Sequence, residues 1–467
     1  VTRRRLRAGV SALAVSAAVA VTSCPAAGAI TPPQVDAQAT PPAGTAGPVQ
    51  AMLQRGQCLT AGVLPGRDPG APNANDQLLN IAGAWAYSRG EGQTVAVVDT
   101  GVRPGPRLPN VDPGGDFVET TDGLTDCDGH GTLVAGVIAG QPGADAFSGV
   151  APAARILSIR QTSARYAPRA GGADPTVVRA SVDVATMARA VVRAADLGAR
   201  VINVSTVTCV PANTAVDQTE LGAALRYAAV DKDAVIVAAA GNDRAGLNAG
   251  TACPSNALSD PSRPDDPRNW AAVTTLAIPA MWPQYVLSVG SVTPTGQPSD
   301  FTSAGPWVGV AAPGQDIASV GNADGGGLAN ALPNDRGELF ELRGTSYAAA
   351  YVSGVAALVR SRFPQLRAED VIRRITASAH GAARSPSNLV GLGTVDPVAA
   401  LTWDVQSLGG TAEFGDTEQP SPAVVAAPAD PVPADHTGRT VAFVGAGVLL
   451  VAAAVTAVAA HRRKEAR

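Results

Sequence analysis

Val95-Ala96-Val97-Val98-Asp99-Thr100-Gly101 is a short apolar run that closes on an acid and then a glycine. Apolar residues at successive positions suit a strand buried on both faces, as in a parallel sheet. The same texture returns in Val201-Ile202-Asn203-Val204, in Ala234 to Ala240, and in Val286 to Val289. Helical spacing lies between these runs. Val184, Met187, Ala188, Val191 and Val192 make an apolar stripe within Val182 to Leu197, and Leu221 to Val230 is rich in Ala. Strand alternating with helix predicts an α/β fold, a doubly wound, mostly parallel sheet with helices on both faces.

The ends of the chain read differently. Arg3, Arg4, Arg5 and Arg7 precede an apolar run from Ala8 to Val21, and Ala27-Gly28-Ala29 supplies small residues for cleavage. Residues 1–29 are expected to be a secretory signal peptide. Val21-Thr22-Ser23-Cys24 also resembles a lipobox, and the paired arginines admit twin-arginine export. Thr440 to Ala460 is a stretch of 21 residues without a charge, followed by Arg462, Arg463, Lys464 and Arg467. That length spans a bilayer, and the basic tail stays on the cytoplasmic side. The expected organisation is a signal peptide (1–29), an N-terminal extension wrapping the next domain (30–75), and a catalytic domain (76–408). A Pro/Ala-rich linker (409–439), a single transmembrane helix (440–460) and a cytoplasmic basic tail (461–467) follow. The main body is then extracytoplasmic on a type I anchor in the cell membrane, in contact with the lipid bilayer through its last helix.

Charge excludes one class of partner. The net charge is −4, but the basic ends hide a body, residues 30–460, with 27 basic against 38 acidic groups. No basic face is left for nucleic acid. Apart from Cys24, four cysteines remain, Cys58, Cys127, Cys209 and Cys253. An even count in an exported chain predicts two disulfides, and four cysteines allow three pairings. No Cys-x-x-Cys occurs, and Asp260, Asp265 and Asp266 lack the spacing of a ligand set, so neither metal nor cofactor is expected.

Candidate chemistry gathers at three places. In open parallel sheets ligands collect at the carboxyl ends of strands. Asp99 closes one strand there, and Asn242 follows another. Asp128-Gly129-His130-Gly131-Thr132 leads into Leu133, Val134, Val137 and Ile138 at helical spacing, leaving His130 uncrowded near a helix start. Arg343-Gly344-Thr345-Ser346 opens the run from Tyr347 to Arg360. Each alone has a plain explanation: an Asp at a strand end is usually a turn residue, and a Ser before an Ala-rich helix is usually a cap. Of the four histidines, His436 and His461 fall in the linker and tail, so extracellular imidazole chemistry rests on His130 or His380.

Taken together, Val97-Val98-Asp99-Thr100-Gly101, Gly129-His130-Gly131-Thr132 and Gly344-Thr345-Ser346, in that order, resemble the three signatures of subtilisin-like serine proteases. Gly149-Val150-Ala151-Pro152, Val201 to Ser205, Ala239-Ala240-Gly241-Asn242, Phe301-Thr302-Ser303 and Ala312-Pro313-Gly314 extend the likeness over roughly residues 93–403. The resemblance implies peptide-bond hydrolysis, with Ser346 as nucleophile, His130 as general base and Asp99 orienting the imidazole. It also implies that Asn242 and the Ser346 N–H form the oxyanion hole, and that Asn203, Ser205, Thr206 and Val207 contact protein or peptide substrates. Ser205-Thr206-Val207-Thr208 stands where the family usually has Ser-Leu-Gly-Gly. The branched side chains are expected to narrow the first specificity pocket.

The whole outline, from signal peptide to basic tail, resembles the mycosins, membrane-anchored subtilisin-like proteases of type VII secretion systems. That likeness implies membrane components of such a system as partners, and a role in stabilising the secretion complex beside proteolysis. It also favours the pairings Cys58–Cys127 and Cys209–Cys253. Residues 30–75 are short and lack core periodicity, so they are expected to wrap the domain as an arm and not to form a folded inhibitory propeptide. The polar segments Gln161 to Thr176 and Thr251 to Asn269 exceed usual connection lengths and are candidate docking loops. Two rival readings stand against a serine protease. An aspartic protease needs two facing carboxylates, and no second Asp-Thr-Gly or Asp-Ser-Gly occurs. A scaffold with secondary protease activity remains the alternative.

Overall fold

The computed structural model describes residues 30–169, 174–244 and 252–405. The expected signal peptide, linker, transmembrane helix and basic tail lie outside these residues. The chain divides into two compact units, 1–414 and 415–467, and everything described belongs to the first. Among the described residues no helix is long and apolar enough to cross a membrane.

One nine-stranded sheet holds the four strands expected from the apolar runs together with five others. In chain order they are β1 (Thr94–Asp99), β2 (Val111–Asp116), β3 (Arg155–Arg160), β4 (Val201–Val204) and β5 (Val235–Ala239). Then come β6 (Val286–Val292), β7 (Val308–Pro313), β8 (His380–Gly381) and β9 (Gly393–Thr394). Their spatial order is β8-β9-β7-β6-β5-β4-β1-β3-β2. Every neighbouring pair is parallel except β8 with β9. Period-two geometry divides each strand between two cores. Val95 and Val97 point into one, Ala96 and Val98 into the other.

Helices cover both faces. On the first lie α1 (His130–Ala139), α4 (Thr345–Arg362) and α5 (Ala368–Ala377). On the second lie α2 (Pro175–Asp196) and α3 (Thr219–Arg226). Helix α2 begins well before Val182, where its periodicity first becomes legible. Asp174 caps it by accepting the Thr176 N–H at 2.8 Å, with Pro175 in the first turn, so polar end signals and not the apolar stripe set its start. Helix α3 stops short of Val230 because the backbone opens into a π turn over Tyr227–Asp231.

Connectivity places the site. From β1 the chain builds β2 and β3 on one side, then crosses to β4 on the other. A crevice therefore opens beyond the carboxyl ends of β1 and β4, the position where α/β sheets bind ligands. Asp99 ends β1, Ser205 follows β4 and Asn242 follows β5. Helices α1 and α4 pack on one another and bring their N-termini, with His130 and Ser346, to this edge.

The arm is tied down along its course. Pro33 accepts from Gln284, Gly47 donates to the Asp116 carbonyl, and Met52–Gln54 pairs antiparallel with Tyr166–Pro168. Leu59 then donates to the Cys127 carbonyl at 2.8 Å and Gly62 to that of Ala331 at 2.9 Å. The disulfides are Cys58–Cys127 and Cys209–Cys253. The first fixes the arm three residues before His130.

Candidate active site

Asp99, His130 and Ser346 form one hydrogen-bonded chain. His130 Nδ1 lies 2.7 Å from Asp99 Oδ1, and His130 Nε2 lies 3.0 Å from Ser346 Oγ. All three side chains are buried. The close approach of their segments explains the glycines beside them. A Cβ on Gly101, at φ 99°, would meet the Thr125 carbonyl oxygen at 2.1 Å, and one on Gly131 would meet the Gly101 carbonyl oxygen at 2.1 Å. Only glycine lets the turn after Asp99 touch the first turn of α1.

Around this chain lies a polar shell that sequence reasoning did not assign. Asp126 accepts from the hydroxyls of Thr100 (2.9 Å) and Thr132 (2.6 Å), and from the N–H groups of Gly129 (2.8 Å) and Thr132 (2.9 Å). It therefore caps the free N–H groups at the start of α1. Asp128 accepts from the Ser163 hydroxyl and from the Ala164 N–H at 2.8 Å. The Tyr347 ring packs against the imidazole at 5.7 Å between centroids. An acid four residues before the His, at the mouth of a helix, was the available signal for Asp126.

Ser346 is the second residue of α4, so its N–H has no acceptor within the helix. Asn242 is oriented by Thr345, whose N–H and hydroxyl both donate to Oδ1 at 3.0 Å. With Oδ1 so occupied, the amide nitrogen is left for the cleft that Asn242 and Ser346 line together. An N–H pair of this kind can stabilise an oxyanion.

Electrostatics favours a basic imidazole. Burial alone lowers the His130 pKa, but the Asp99 carboxylate, with Asp126 and Asp128 behind it, outweighs burial and raises it above the ordinary value. Burial also pushes the Asp126 carboxyl up to about 6, against the pull of Thr132 and Thr100. The arrangement can thus accept a proton from the Ser346 hydroxyl and hold it as an ion pair with Asp99. Among the described residues no His, Cys, Asp and Glu cluster could hold a metal ion.

Comparison with known proteins agrees with this geometry. Residues 90–393 match the Subtilase family. Mycosin-3 of Mycobacterium tuberculosis is 60% identical over 463 residues, covering 98% of this chain and 99% of its own. The chain belongs to the subtilase family, among the mycosins. The solved MycP3 protease from the type VII (ESX-3) secretion system is 67% identical, with a TM-score of 0.77, covering 80% of this chain and all of that one. A chain of an intact ESX-5 inner membrane complex is 46% identical, with a TM-score of 0.77, covering 92% of this chain and all of that one.

In this mycosin the cleft has a volume of about 670 Å³. Ser205, Thr206 and Val207 form part of its wall, with Asn242, His130 and Ser346 beside them. Ser205 donates to the Ser346 carbonyl at 3.3 Å and Thr206 to Gln161 Oε1 at 3.1 Å. Thr208 begins a strand, Thr208–Pro211, that pairs with Thr275–Ile278, so this wall is built from paired backbone. Asn203 corrects the expectation of substrate contact. Its side chain is fully buried, donating to Ser205 Oγ at 2.7 Å and accepting from Ser353 at 2.9 Å. It lies beneath α4, where Ser353 covers it, and it positions Ser205 from below.

Proposed function

We propose that this mycosin is a serine endopeptidase of narrow specificity, held to the membrane by residues 440–460 and exported by residues 1–29. The hydrogen-bonded chain Asp99–His130–Ser346, opening onto a peptide-sized cleft, is the observation that carries the catalytic part. Ser346 Oγ attacks the scissile carbonyl carbon and passes its proton to His130 Nε2. Asp99 holds the Nδ1–H tautomer and stabilises the imidazolium. Asn242 Nδ2 and the Ser346 N–H receive the oxyanion. The tetrahedral intermediate collapses as His130 gives its proton to the leaving amine, leaving an acyl ester on Ser346. Water, deprotonated by the same imidazole, then releases the acid product.

Narrow specificity follows from the walls. Val207 stands where a smaller residue would leave the first specificity pocket open, and the ladder behind Thr208 resists movement. Modest side chains at the acylated residue fit best. We also place the domain organisation as read from the sequence: 30–75 as the wrapping arm, 76–408 as the peptidase, 409–439 as the linker and 461–467 as the cytoplasmic tail. The body is extracytoplasmic.

A second role is supported by the 46% identical chain solved within an inner membrane complex. The arm and the long polar segments offer surface for membrane components of a type VII system, so the protein also stabilises such a complex. Fluorophosphonate labelling of the full-length protein beside Ser346→Ala tests the enzyme. Labelling confined to the unaltered protein supports the triad, and absence of labelling in folded protein sinks it. A Ser346→Ala strain that secretes normally where a deletion strain fails would make scaffolding the essential role.

A further inference from the structure

Arg165 and Asp335 meet across the cleft that holds Ser346. Both line it, and Arg165 Nη1 lies 2.5 Å from Asp335 Oδ1. Arg165 comes from the segment after β3. Asp335 comes from the tip of the hairpin that pairs Ala331–Pro333 with Leu339–Glu341. The partners are unequal: the Arg165 side chain is 18% exposed, that of Asp335 81%.

Arg165 is held from behind. Its carbonyl accepts the N–H groups of Arg55 (2.7 Å) and Gly56 (3.2 Å) of the arm. Its own N–H donates to Ser163 at 3.1 Å. A Cβ on Gly56 would lie 3.1 Å from Nη1, so the arm lies directly against the guanidinium. The Nε is buried with no hydrogen-bond partner among the described residues. Arg179, the other cation lining the cleft among the described residues, is fully engaged. Its Nε donates to both Asp183 oxygens at 3.0 and 2.9 Å, and its Nη groups to Tyr166 and Thr162.

A fixed, mostly buried guanidinium therefore faces a carboxylate that is mostly in water. An ion pair with so exposed a partner is weak and screened by salt, so an incoming carboxylate displaces Asp335 at little cost. The planar guanidinium suits two-point contact with such a group. Ser205, Thr206 and Val207 line the same cleft as Gln161, Thr162, Ala164 and Arg165, and Thr206 donates to Gln161, so a peptide laid along 205–207 to reach Ser346 comes within the cleft that Arg165 lines.

We propose that Arg165 determines specificity: the cleft selects peptides with an aspartate or glutamate on the acyl side of the scissile bond, whose carboxylate replaces Asp335 on Arg165. This rests on the protease reading above.

The test uses the full-length protein and peptidyl diphenyl phosphonates ending in the alanine analogue, with Asp, Asn or Lys at each of the three preceding positions. The ratio of inactivation rates for Asp over Asn is internal to each variant, so changes in triad reactivity cancel. The unaltered protein is expected to prefer Asp roughly tenfold at one position, as a charge-assisted bond to a fixed Arg gives. Asp335→Asn raises the ratio by freeing Arg165, and Arg165→Gln brings it to about one. A ratio of one in both the unaltered protein and Asp335→Asn, a ratio that survives Arg165→Gln, or a preference for Lys overturns the inference. If Arg165→Gln does not fold, the required rise in Asp335→Asn decides alone. Labelling by a simple fluorophosphonate without reaction of any peptidyl phosphonate also counts against it. Absence of fluorophosphonate labelling instead fails the protease reading, and the inference falls with it.

Discussion

The Thr100 hydroxyl accepts the N–H of Gly131 at 2.9 Å and donates to Asp126 at 2.9 Å. The residue after Asp99 is thus bonded to the residue after His130, and both hang on one buried carboxylate. Thr100→Val removes both bonds while keeping the shape. It is expected to cost about 1–3 kcal/mol of stability by leaving the Gly131 N–H unpaired. Fluorophosphonate labelling slows as well, because the imidazole loses its fixed distance from Asp99. Thermal denaturation and labelling rates check this. A variant as stable and as reactive as the parent would place the rigidity elsewhere.

Asn242→Ala is expected to lower turnover about 100- to 1000-fold, with substrate affinity changed much less, since the oxyanion forms only after attack. The N–H and hydroxyl of Thr345 lose their acceptor in the same variant, so a small drop in melting temperature should accompany it. Steady-state kinetics on a cleaved peptide separates the two effects.

The acid limb of activity should lie above the ordinary imidazole pKa of about 6.5. His130 works as the neutral base, and the Asp99 carboxylate raises its pKa against the effect of burial. Activity is therefore lost as pH falls through that raised value. Asp99→Asn removes the raising charge and leaves burial, so the midpoint moves down while the rate drops by about 10,000-fold. Labelling rates measured from pH 5 to 9 give both midpoints. An unmoved midpoint would mean that His130 is not the titrating group.

Cys58→Ser with Cys127→Ser should destabilise the protein by roughly 2–4 kcal/mol, the usual worth of closing a long loop; the bond spans 69 residues. Arm residues near Gly56 then become open to added protease, and Arg165 loses its backing. Limited proteolysis with mass spectrometry detects the release.

Val207→Gly is expected to widen the first specificity pocket. Peptides with Leu or Phe at the acylated residue should gain at least severalfold in kcat/KM over those with Ala, because a methylene added to a fitting pocket contributes about 1–3 kcal/mol. An unchanged ranking would assign the limit to another wall.

Much of the fold is local in origin and was legible. Apolar runs such as Val95–Val98 and Val201–Val204 can be buried only between two helical layers, so they announce a doubly covered sheet wherever they occur. The stripe of α2 was readable from Val182 onward, but its start depended on a cap at Asp174, a signal that short polar residues give ambiguously. The triad was legible only through the joint resemblance of the motifs around Asp99, His130 and Ser346 to the subtilisin-like signatures; the structure adds why glycines stand beside Asp99 and His130.

What the sequence determined alone was the doubly covered sheet, through residue identity and short-range periodicity, and the chemistry type, through three motifs whose resemblance to the subtilisin-like signatures implies it. Tertiary structure decided whatever joins segments far apart in the chain. It turned Asn203 inward beneath Ser205, gathered Thr100 and Thr132 on Asp126, and set Asp335 against Arg165, 170 residues away. Such contacts depend on where the loops end once the sheet has formed. No local pattern encodes that distance.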